Sequence, residues 1–271
     1  MKLNKSFLYI CITAIGLIYL VPFYILANLA LKAPSDTSSK WIVPKYLYFD
    51  NFINAWDKAN LGNAVINNII ITVGAIALVV VIGACAAYPL ARYKTKLNNT
   101  VFTIIIACMI VPALTILVPL YKFMVDINGI NTHWAIILLH VTFSLPLTVF
   151  LYTGFISSVP RELDEAALID GCSRVGIFFR IIMPLLKPIT ATVIILNGVT
   201  IWNDYQFSIF FLQSSKVRTI PVALSTFFSQ FQSDLSYVAA GCIIGMLPLV
   251  ILYLLLQKHF IKGVADGAVK G

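Results

Sequence analysis

Six long apolar stretches divide this chain of 271 residues. Five of them contain no Asp, Glu, Lys or Arg, and the remaining one carries a single formal charge, Asp204. A helix needs about 20 mostly apolar residues to cross a hydrocarbon layer about 30 Å thick. The stretches therefore predict six transmembrane helices, at about residues 7–31, 63–91, 97–121, 132–159, 188–213 and 235–257.

The composition supports a membrane protein and excludes an ordinary cytosolic globule. Apolar side chains make up 60% of the chain and charged ones 11%, whereas soluble domains average about 25% charged residues. The net charge of +8 would suggest nucleic acid as a partner of a polar protein, but here long apolar stretches separate the basic residues. We therefore expect a lipid bilayer, and no nucleic acid, around this chain.

The basic residues indicate how the chain is oriented. Three lie between residues 92 and 96, four between 161 and 187 and three near the C-terminus, and Lys2 and Lys5 precede the first stretch. That places twelve basic residues on one side of six spans and seven on the other, and the side rich in Lys and Arg is normally cytoplasmic. We expect both termini in the cytoplasm and one transmembrane domain over residues 1–271. The first stretch is too long for the apolar region of a signal peptide, so we expect it to remain as a helix.

Prolines and glycines inside the predicted spans indicate how the helices pack. In a bundle, neighbouring helices satisfy the carbonyls that a proline frees, so we interpret the prolines as kinks in packed helices. Gly241 and Gly245 form a GxxxG pair, which lets two membrane helices approach closely. Such pairs also arise by chance, so a close helix contact and no special role both stay open.

Residues 160–184, between the fourth and fifth stretches, predict two short helices joined by a sharp turn. Pro160 suits the first turn of a helix, and the acidic side chains that follow it complement the positive end of the helix dipole. Gly171 can adopt the positive φ that ends this helix. Ser173 can cap the second helix, which we expect to continue to Pro184.

Seven residues of this segment resemble, in order and spacing, the EAA motif of permease subunits in bacterial ATP-binding cassette importers. They are Glu165, Ala166, Ala167, Gly171, Ile181, Met183 and Pro184, with Met183 where the family pattern has Leu. In that family the segment couples transport to ATP by docking in a cleft of a cytoplasmic ATPase subunit. The resemblance implies these ATPase-coupling residues: Glu165, Ala166, Ala167, Asp170, Gly171 and Pro184. The alternative, a helix resting on lipid headgroups, fits three carboxylates in one turn poorly.

Three further segments resemble the carbohydrate permeases of maltose type: DNFINAWDKANLGNAVINNIIIT, IWNDYQF and QKHFIKGVADGAVKG. The resemblance implies an all-α membrane protein with the six transmembrane helices of the type I importer core and a cytoplasmic coupling helix between spans four and five. It also implies that the chain works in the bacterial cytoplasmic membrane with a second, related permease, two ATPase subunits and an external solute-binding protein. The expected cargo is a sugar or an oligosaccharide.

Polar residues of the fifth stretch are candidates for the substrate pathway. They lie on or beside one helical face: Asn197, Thr200, Trp202, Asn203, Asp204, Tyr205 and Ser208. Acidic and amide groups can hydrogen-bond sugar hydroxyls, and aromatic rings can cover the C–H surfaces of a sugar. An ionised side chain within a span costs at least about 2.5 kcal/mol, so Asp204 needs a partner. It either lines the pathway or holds helices together, whereas we interpret His140 as a packing residue.

No GxxxxGK[ST] phosphate loop occurs in the sequence, so we expect ATP and Mg²⁺ to be bound by the ATPase partners and no cofactor in this chain. The chain also lacks a Ser/His/Asp set and Cys/His pairs at metal-ligand spacing, so neither an enzyme nor a metal site is predicted. Two alternatives stay open. One is an importer of the same class for a phosphorylated polyol or another small solute, although the spans lack the basic residues that a phosphate calls for. The other is a proton-coupled secondary transporter that uses Asp204.

Overall fold

The computed structural model describes residues 5–229 and 235–268, and every regular element within them is helical. The α-helices are α1 (Lys5–Leu31), α2 (Asp50–Lys58), α3 (Leu61–Arg92), α4 (Lys96–Ala107), α5 (Leu117–Asp126), α6 (His133–Ser158), α7 (Glu162–Ile169), α8 (Arg174–Ile177), α9 (Met183–Leu185), α10 (Lys187–Trp202), α11 (Ser208–Phe211), α12 (Ile220–Ser229) and α13 (Leu235–Ala268). Two 3-10 turns, Cys108–Ile110 and Ala113–Ile116, lie between α4 and α5, and a π-helical stretch, Phe178–Ile182, joins α8 to α9.

Within the described residues, four helices are long and apolar enough to cross a bilayer as single spans: α1, α3, α6 and the part Leu235–Leu255 of α13. They confirm the first, second, fourth and sixth predicted spans as continuous helices. Their exposed apolar side chains, such as Ile18 with 69% exposure, suit an apolar surrounding.

The third predicted span, residues 97–121, is not one continuous helix. The chain bends by 89° between Lys96–Ile110 and Ala113–Asp126. Pro112 explains the bend, because proline has no N–H for the helix and disfavours helical geometry at the residue before it. Val111 accordingly has an extended conformation, with φ −75° and ψ 116°. Two helical segments therefore take the place of one continuous helix.

The fifth predicted span, residues 188–213, is shorter as a helix than the sequence indicates, because α10 ends at Trp202. Asn203 ends it, and its Nδ2 donates to the carbonyl oxygen of Val199 over 2.8 Å. Short polar side chains compete in this way with the helix for backbone groups. A 72° bend separates α10 from Arg174–Leu185, and with both bent pairs counted as spans the described part of the chain holds up to six.

The described residues form two compact units. Residues 66–219 with 249–268 make the larger unit, and residues 5–65 with 220–229 and 235–248 make the smaller one. The expectation of one transmembrane domain over residues 1–271 stays a prediction.

In the larger unit α3, α6 and α10 pack closely. Gly83 of α3 lies against α6, since a Cβ there would come within 2.5 Å of the methyl carbon of Thr148. Tyr152 of α6 is fully buried, and its hydroxyl donates to Oγ1 of Thr190 in α10 over 3.0 Å. Close backbones and interhelical hydrogen bonds thus hold these three helices together.

In the smaller unit the GxxxG pair of α13 lies against α12, which confirms a close helix contact there. A Cβ at Gly245 would lie 2.8 Å from Cγ2 of Ile220, and one at Gly241 would overlap the side chain of Leu224. Asn51 of α2 is buried and donates from Nδ2 to two carbonyl oxygens at the end of α1. Helix ends leave such carbonyls without helical partners, so Asn51 anchors α2 to α1.

Candidate coupling segment and pathway residues

Residues 160–184, which we call the coupling segment, form the helix, turn and second helix that the sequence predicts. The first turn of α7 carries Glu162, Asp164 and Glu165, whose negative charges are stabilised by the positive end of the helix dipole. Pro160 lies just before the helix instead of in its first turn. The acidic start of α7 is therefore where the sequence places it, with a shift of the helix boundary.

Gly171 and Ser173 form the turn between α7 and α8. Gly171 has φ +80°, a left-handed conformation that glycine adopts without steric cost. Ser173 Oγ accepts a hydrogen bond from the backbone N–H of Gly176 over 3.1 Å, which caps α8. Both local predictions are confirmed. The sequence did not indicate that the second helix widens into the π-helical stretch after Ile177.

Exposure separates the predicted coupling residues into two groups. Five are exposed: Glu165, Ala166, Asp170, Gly171 and Pro184. Ala167 is only 5% exposed and packs into the apolar core of its own unit. The structure thus places Ala167 on the buried face of α7 and leaves the other five accessible to a partner.

Large apolar side chains are also exposed on the same segment. They are Leu163, Leu168, Ile169, Val175 and Phe179, and Ile169 reaches 87% exposure. Exposed apolar side chains surrounded by polar residues are typical of protein interaction sites. The available signal was the pair of adjacent large apolar residues at the end of α7, Leu168 and Ile169, because the buried face of one helix cannot cover two adjacent side chains completely.

A shielded ion pair fastens α7 to the rest of its unit. Arg92 is the last residue of α3, and its Nε lies 2.8 Å from Oδ2 of Asp164. Its Nη2 donates to Oδ1 of the same carboxylate over 3.1 Å. Tyr88 adds a hydrogen bond from its hydroxyl to Oδ2 over 3.2 Å. We call Arg92, Asp164 and Tyr88 the clasp.

The opposite side of the Arg92 guanidinium contacts the end of α6. Its Nη1 donates to the carbonyl oxygens of Ile156 and Val159 over 3.1 and 2.8 Å. The Arg92 side chain is 5% exposed and that of Asp164 is 14% exposed, so water screens the pair little. Sequence analysis missed the clasp, and the available signal was a charged residue within the last turn of an apolar span.

A cleft of about 150 Å³ opens beside the clasp, with Tyr93, Glu165 and Arg174 in its wall. The guanidinium carbon of Arg174 lies 5.2 Å from the ring centre of Tyr93, a cation–π arrangement that links α8 to the chain after α3. A partner side chain inserted into this cleft would contact both α7 and the clasp.

Two of the predicted pathway residues are buried within the chain. Asn197 is 4% exposed, and its Nδ2 donates to Oγ1 of Thr148 in α6 over 3.1 Å. Trp202 is 6% exposed, and its carbonyl oxygen accepts a hydrogen bond from Nδ2 of Asn68 over 2.9 Å. In this structure both residues join α10 to neighbouring helices.

Three other predicted pathway residues are exposed: Thr200, Asn203 and Tyr205. Gln206, which the sequence analysis did not single out, is exposed beside them. The prediction of one helical face that runs from Asn197 to Ser208 is wrong, because the helix ends at Trp202. The exposed polar groups instead cluster at the end of α10 and in the turn that follows it.

The carboxylate of Asp204 is satisfied by its own segment. It accepts hydrogen bonds from the backbone N–H of Phe207 and Ser208, over 3.1 and 2.9 Å, and from Oγ of Ser208 over 2.7 Å. Its side chain is 9% exposed, and Nε2 of the buried His140 lies 3.6 Å away. These donors offset the cost of placing the charge in a span, and they start α11 as a helix cap does.

The chain matches, over residues 79–266, the family model described as "Binding-protein-dependent transport system inner membrane component". This match covers more than half of the chain and includes the coupling segment, the clasp and the turn at Asp204. The chain belongs to that family. Within the family it is a transport component and not an enzyme, and it is a multi-pass protein of the cytoplasmic membrane.

Several named permeases of this family are similar over nearly their whole length. The chain is 53% identical over 254 residues to the melibiose/raffinose/stachyose import permease protein MelC of Bacillus subtilis. The aligned region covers 93% of this chain and 92% of the relative. The chain is 35% identical over 257 residues to the probable starch degradation products permease AmyC of Thermoanaerobacterium thermosulfurigenes, covering 94% and 93%. The multiple sugar-binding permease MsmG of Streptococcus mutans is 32% identical over 274 residues, covering 99% and 98%.

A solved structure shares the fold of this family member. It is the crystal structure of a bacterial ABC transporter involved in the import of the acidic polysaccharide alginate, with a TM-score of 0.79 and 19% identity. The likeness covers 96% of this chain and 98% of the other. The all-helical type I permease fold expected from the sequence is confirmed.

Proposed function

We propose that this chain is the transmembrane permease subunit of an ATP-driven, binding-protein-dependent importer of a sugar or oligosaccharide. The observation that carries the proposal is the 53% identity over 254 residues with a permease named for melibiose, raffinose and stachyose. Relatives named for starch degradation products and for multiple sugars support the same class of cargo. A phosphorylated polyol is the less favoured cargo, since no Lys or Arg lies among the proposed pathway residues.

The coupling segment is the proposed docking site for an ATPase subunit. Glu165 and Asp170 offer carboxylates to basic groups of a partner, and Ala166 and Gly171 allow close approach. The exposed Leu168 is among the apolar side chains that such a contact would cover. Pro184 and the buried Ala167 hold the segment in shape. In this proposal, ATP-driven closure of the ATPases displaces α7 and opens the pathway outward, and hydrolysis returns it inward.

The exposed polar residues that follow the end of α10 are the proposed cargo contacts. Thr200, Asn203 and Tyr205 supply a hydroxyl, an amide and an aromatic ring, which together suit a neutral sugar. Asn197, Trp202 and Asp204 act on the pathway through their own hydrogen bonds, by holding α10 and the following turn in place.

The proposed assembly contains four kinds of protein. This chain pairs with a second, homologous permease as a heterodimer, two ATPase subunits bind ATP and Mg²⁺, and an external solute-binding protein delivers the cargo. Both termini lie in the cytoplasm in this proposal. The excess of Lys and Arg around the coupling segment, after α3 and at both ends supports that orientation.

Transport by the whole complex tests this function. The chain is purified from its native membrane with the subunits that accompany it and is reconstituted in vesicles that enclose ATP and Mg²⁺. We expect uptake of labelled raffinose when the solute-binding protein is present, and no uptake when that protein or ATP is omitted, because the chain itself has no phosphate loop.

Sorbitol 6-phosphate serves as the second cargo in the same assay. Uptake of this phosphate together with no uptake of melibiose, raffinose or maltose would overturn the sugar assignment. Raffinose uptake driven by a proton gradient without ATP would overturn the transporter class. In both cases, uptake is compared with that of vesicles that lack the complex.

A further inference from the structure

The clasp joins three helices through one guanidinium. Arg92 belongs to α3, Asp164 to α7, and the carbonyl oxygens of Ile156 and Val159 to the end of α6. Arg92 and Asp164 are 72 positions apart in the chain, so the contact exists only in the folded protein. Tyr88, one turn before Arg92 on α3, donates to the same carboxylate and fixes its orientation.

The geometry of the clasp resists a displacement of α7 relative to its neighbours. Nη2 of Arg92 donates to Oδ1 of Asp164 over 3.1 Å, a charge-assisted hydrogen bond, and Nε lies 2.8 Å from Oδ2 as an ion-pair contact. Nη1 is already committed to the end of α6. The guanidinium is planar and rigid, so a displacement of the groups bound on one side is passed to those on the other.

Separating the clasp would leave charges unpaired in a shielded place. Arg92 is 5% exposed and Asp164 is 14% exposed. Removing one partner of a largely buried ion pair is unfavourable, because it leaves the other charge without its partner. A force on α7 is therefore relieved at lower cost by moving the ends of α3 and α6 with it than by opening the clasp.

We propose that Arg92 and Asp164 are positioning residues that transmit a displacement of α7 to the ends of α3 and α6. The inference rests on the proposed function, because it takes the ATPase subunits as the source of the displacement. It adds to that function the connection by which the coupling segment reaches the transmembrane helices. Apolar contacts on the buried face of α7, such as that of Ala167, also keep the helix attached.

The experiment measures sugar taken up per ATP hydrolysed, in vesicles containing the whole complex. The test variants are Asp164→Asn and Arg92→Gln, which preserve size and remove the charges. Matched controls are Asp126→Asn at the end of α5 and Lys94→Gln just after α3, since both lose one charge at an exposed position. We expect uptake per ATP to fall at least about tenfold in the test variants and to change less than about twofold in the controls.

Two further variants separate transmission from mere stability. In the double variant Arg92→Gln/Asp164→Asn we expect uptake per ATP within about twofold of the worse single variant, because both single changes break the same contact. Arg92→Lys keeps the charge but loses the planar fork, and we expect it to recover part of the uptake. The melting temperature of each complex shows whether a lower stability of the fold is enough to explain a loss of transport.

Four results would overturn the inference. The first is uptake per ATP in both test variants equal to that of the controls, and the second is losses that multiply in the double variant. The third is a parallel loss of uptake and ATP hydrolysis that tracks the melting temperature, and the fourth is loss of the ATPase subunits during purification. The last result would assign the clasp to docking. Failure of the proposed function would be visible separately, as the absence of ATP-dependent uptake in the unaltered complex, and the inference would fall with it.

Discussion

Asp204 shows how one side chain sets the course of a membrane-spanning segment. Lipid cannot solvate such a charge, and in the turn after α10 two backbone N–H groups point toward the carboxylate instead. Phe207 and Ser208 supply those groups, and the hydroxyl of Ser208 supplies a third donor. A carboxylate that its own segment satisfies needs neither a cargo nor a proton to be stable there.

Replacement of Asp204 distinguishes this capping role from a need for its charge. We expect Asp204→Asn to keep uptake within about threefold of the unaltered complex, because the amide oxygen still accepts a hydrogen bond at the start of α11. Asp204→Ala removes the acceptor, and we expect it to destabilise the protein by about 1–2 kcal/mol and to lower uptake. Thermal melting and vesicle uptake measure the two effects. Abolished uptake in Asp204→Asn at an unchanged melting temperature would contradict the capping role and favour a proton site.

At the scale of elements, close approach of backbones decides which helices pair. The two glycines of α13 present no side chain to α12, so Ile220 and Leu224 fill the space that a Cβ would occupy. Gly83 plays the same part between α3 and α6. Packing of this kind replaces the hydrophobic effect inside a bilayer, because lipid tails are as apolar as the side chains.

Gly245→Ala tests the contact between α12 and α13. Its Cβ would lie 2.8 Å from Cγ2 of Ile220, so we expect a destabilisation of about 1–3 kcal/mol, seen as a lower melting temperature. Gly16→Ala in α1 is the matched control, since nothing lies within 4 Å of a Cβ there. Combining Gly245→Ala with Ile220→Val is expected to recover part of the loss. Equal melting temperatures for the two alanine variants would show that the contact is looser than the structure indicates.

For the whole molecule, the distribution of Lys and Arg predicts which end of each span faces the cytoplasm. Lys45 lies in the connection between α1 and α2, and Lys94 lies between α3 and α4, so the span α3 separates them. Both side chains are exposed. The two positions therefore report on opposite sides of the membrane.

Labelling of single cysteines measures this orientation. In a chain whose five native cysteines, all free of disulfides, are replaced by serine, we expect Lys45→Cys to react with a membrane-impermeant maleimide in intact cells. We expect Lys94→Cys to react only after the membrane is opened. The reverse pattern would place the termini outside and would remove the coupling segment from the ATPase side.

Properties that depend on neighbours in the chain were accessible from the amino-acid sequence alone. The lengths of α1, α3 and α6 follow from uninterrupted apolar runs, the positive φ of Gly171 from the absence of a side chain, and the cap at Ser173 from its hydroxyl. Each of these three features depends on only a few residues that are neighbours in the chain. The membrane spans and the turn in the coupling segment could therefore be predicted, whereas the permease fold was implied by the resemblance to the EAA motif and to the carbohydrate permeases.

Properties that depend on which helices become neighbours were decided by the tertiary structure. Asn197 was predicted from the sequence as a pathway residue, and only the placement of α6 shows that its amide donates a hydrogen bond to Thr148. Asp164 looks like an ordinary surface charge until α3 and α7 meet. The charge in the last turn of α3 singles out Arg92 but not its partner. An ion pair is strong only where water is excluded, and that exclusion is a property of the packed molecule, so the pairing with Asp164 could not be predicted from neighbours in the chain.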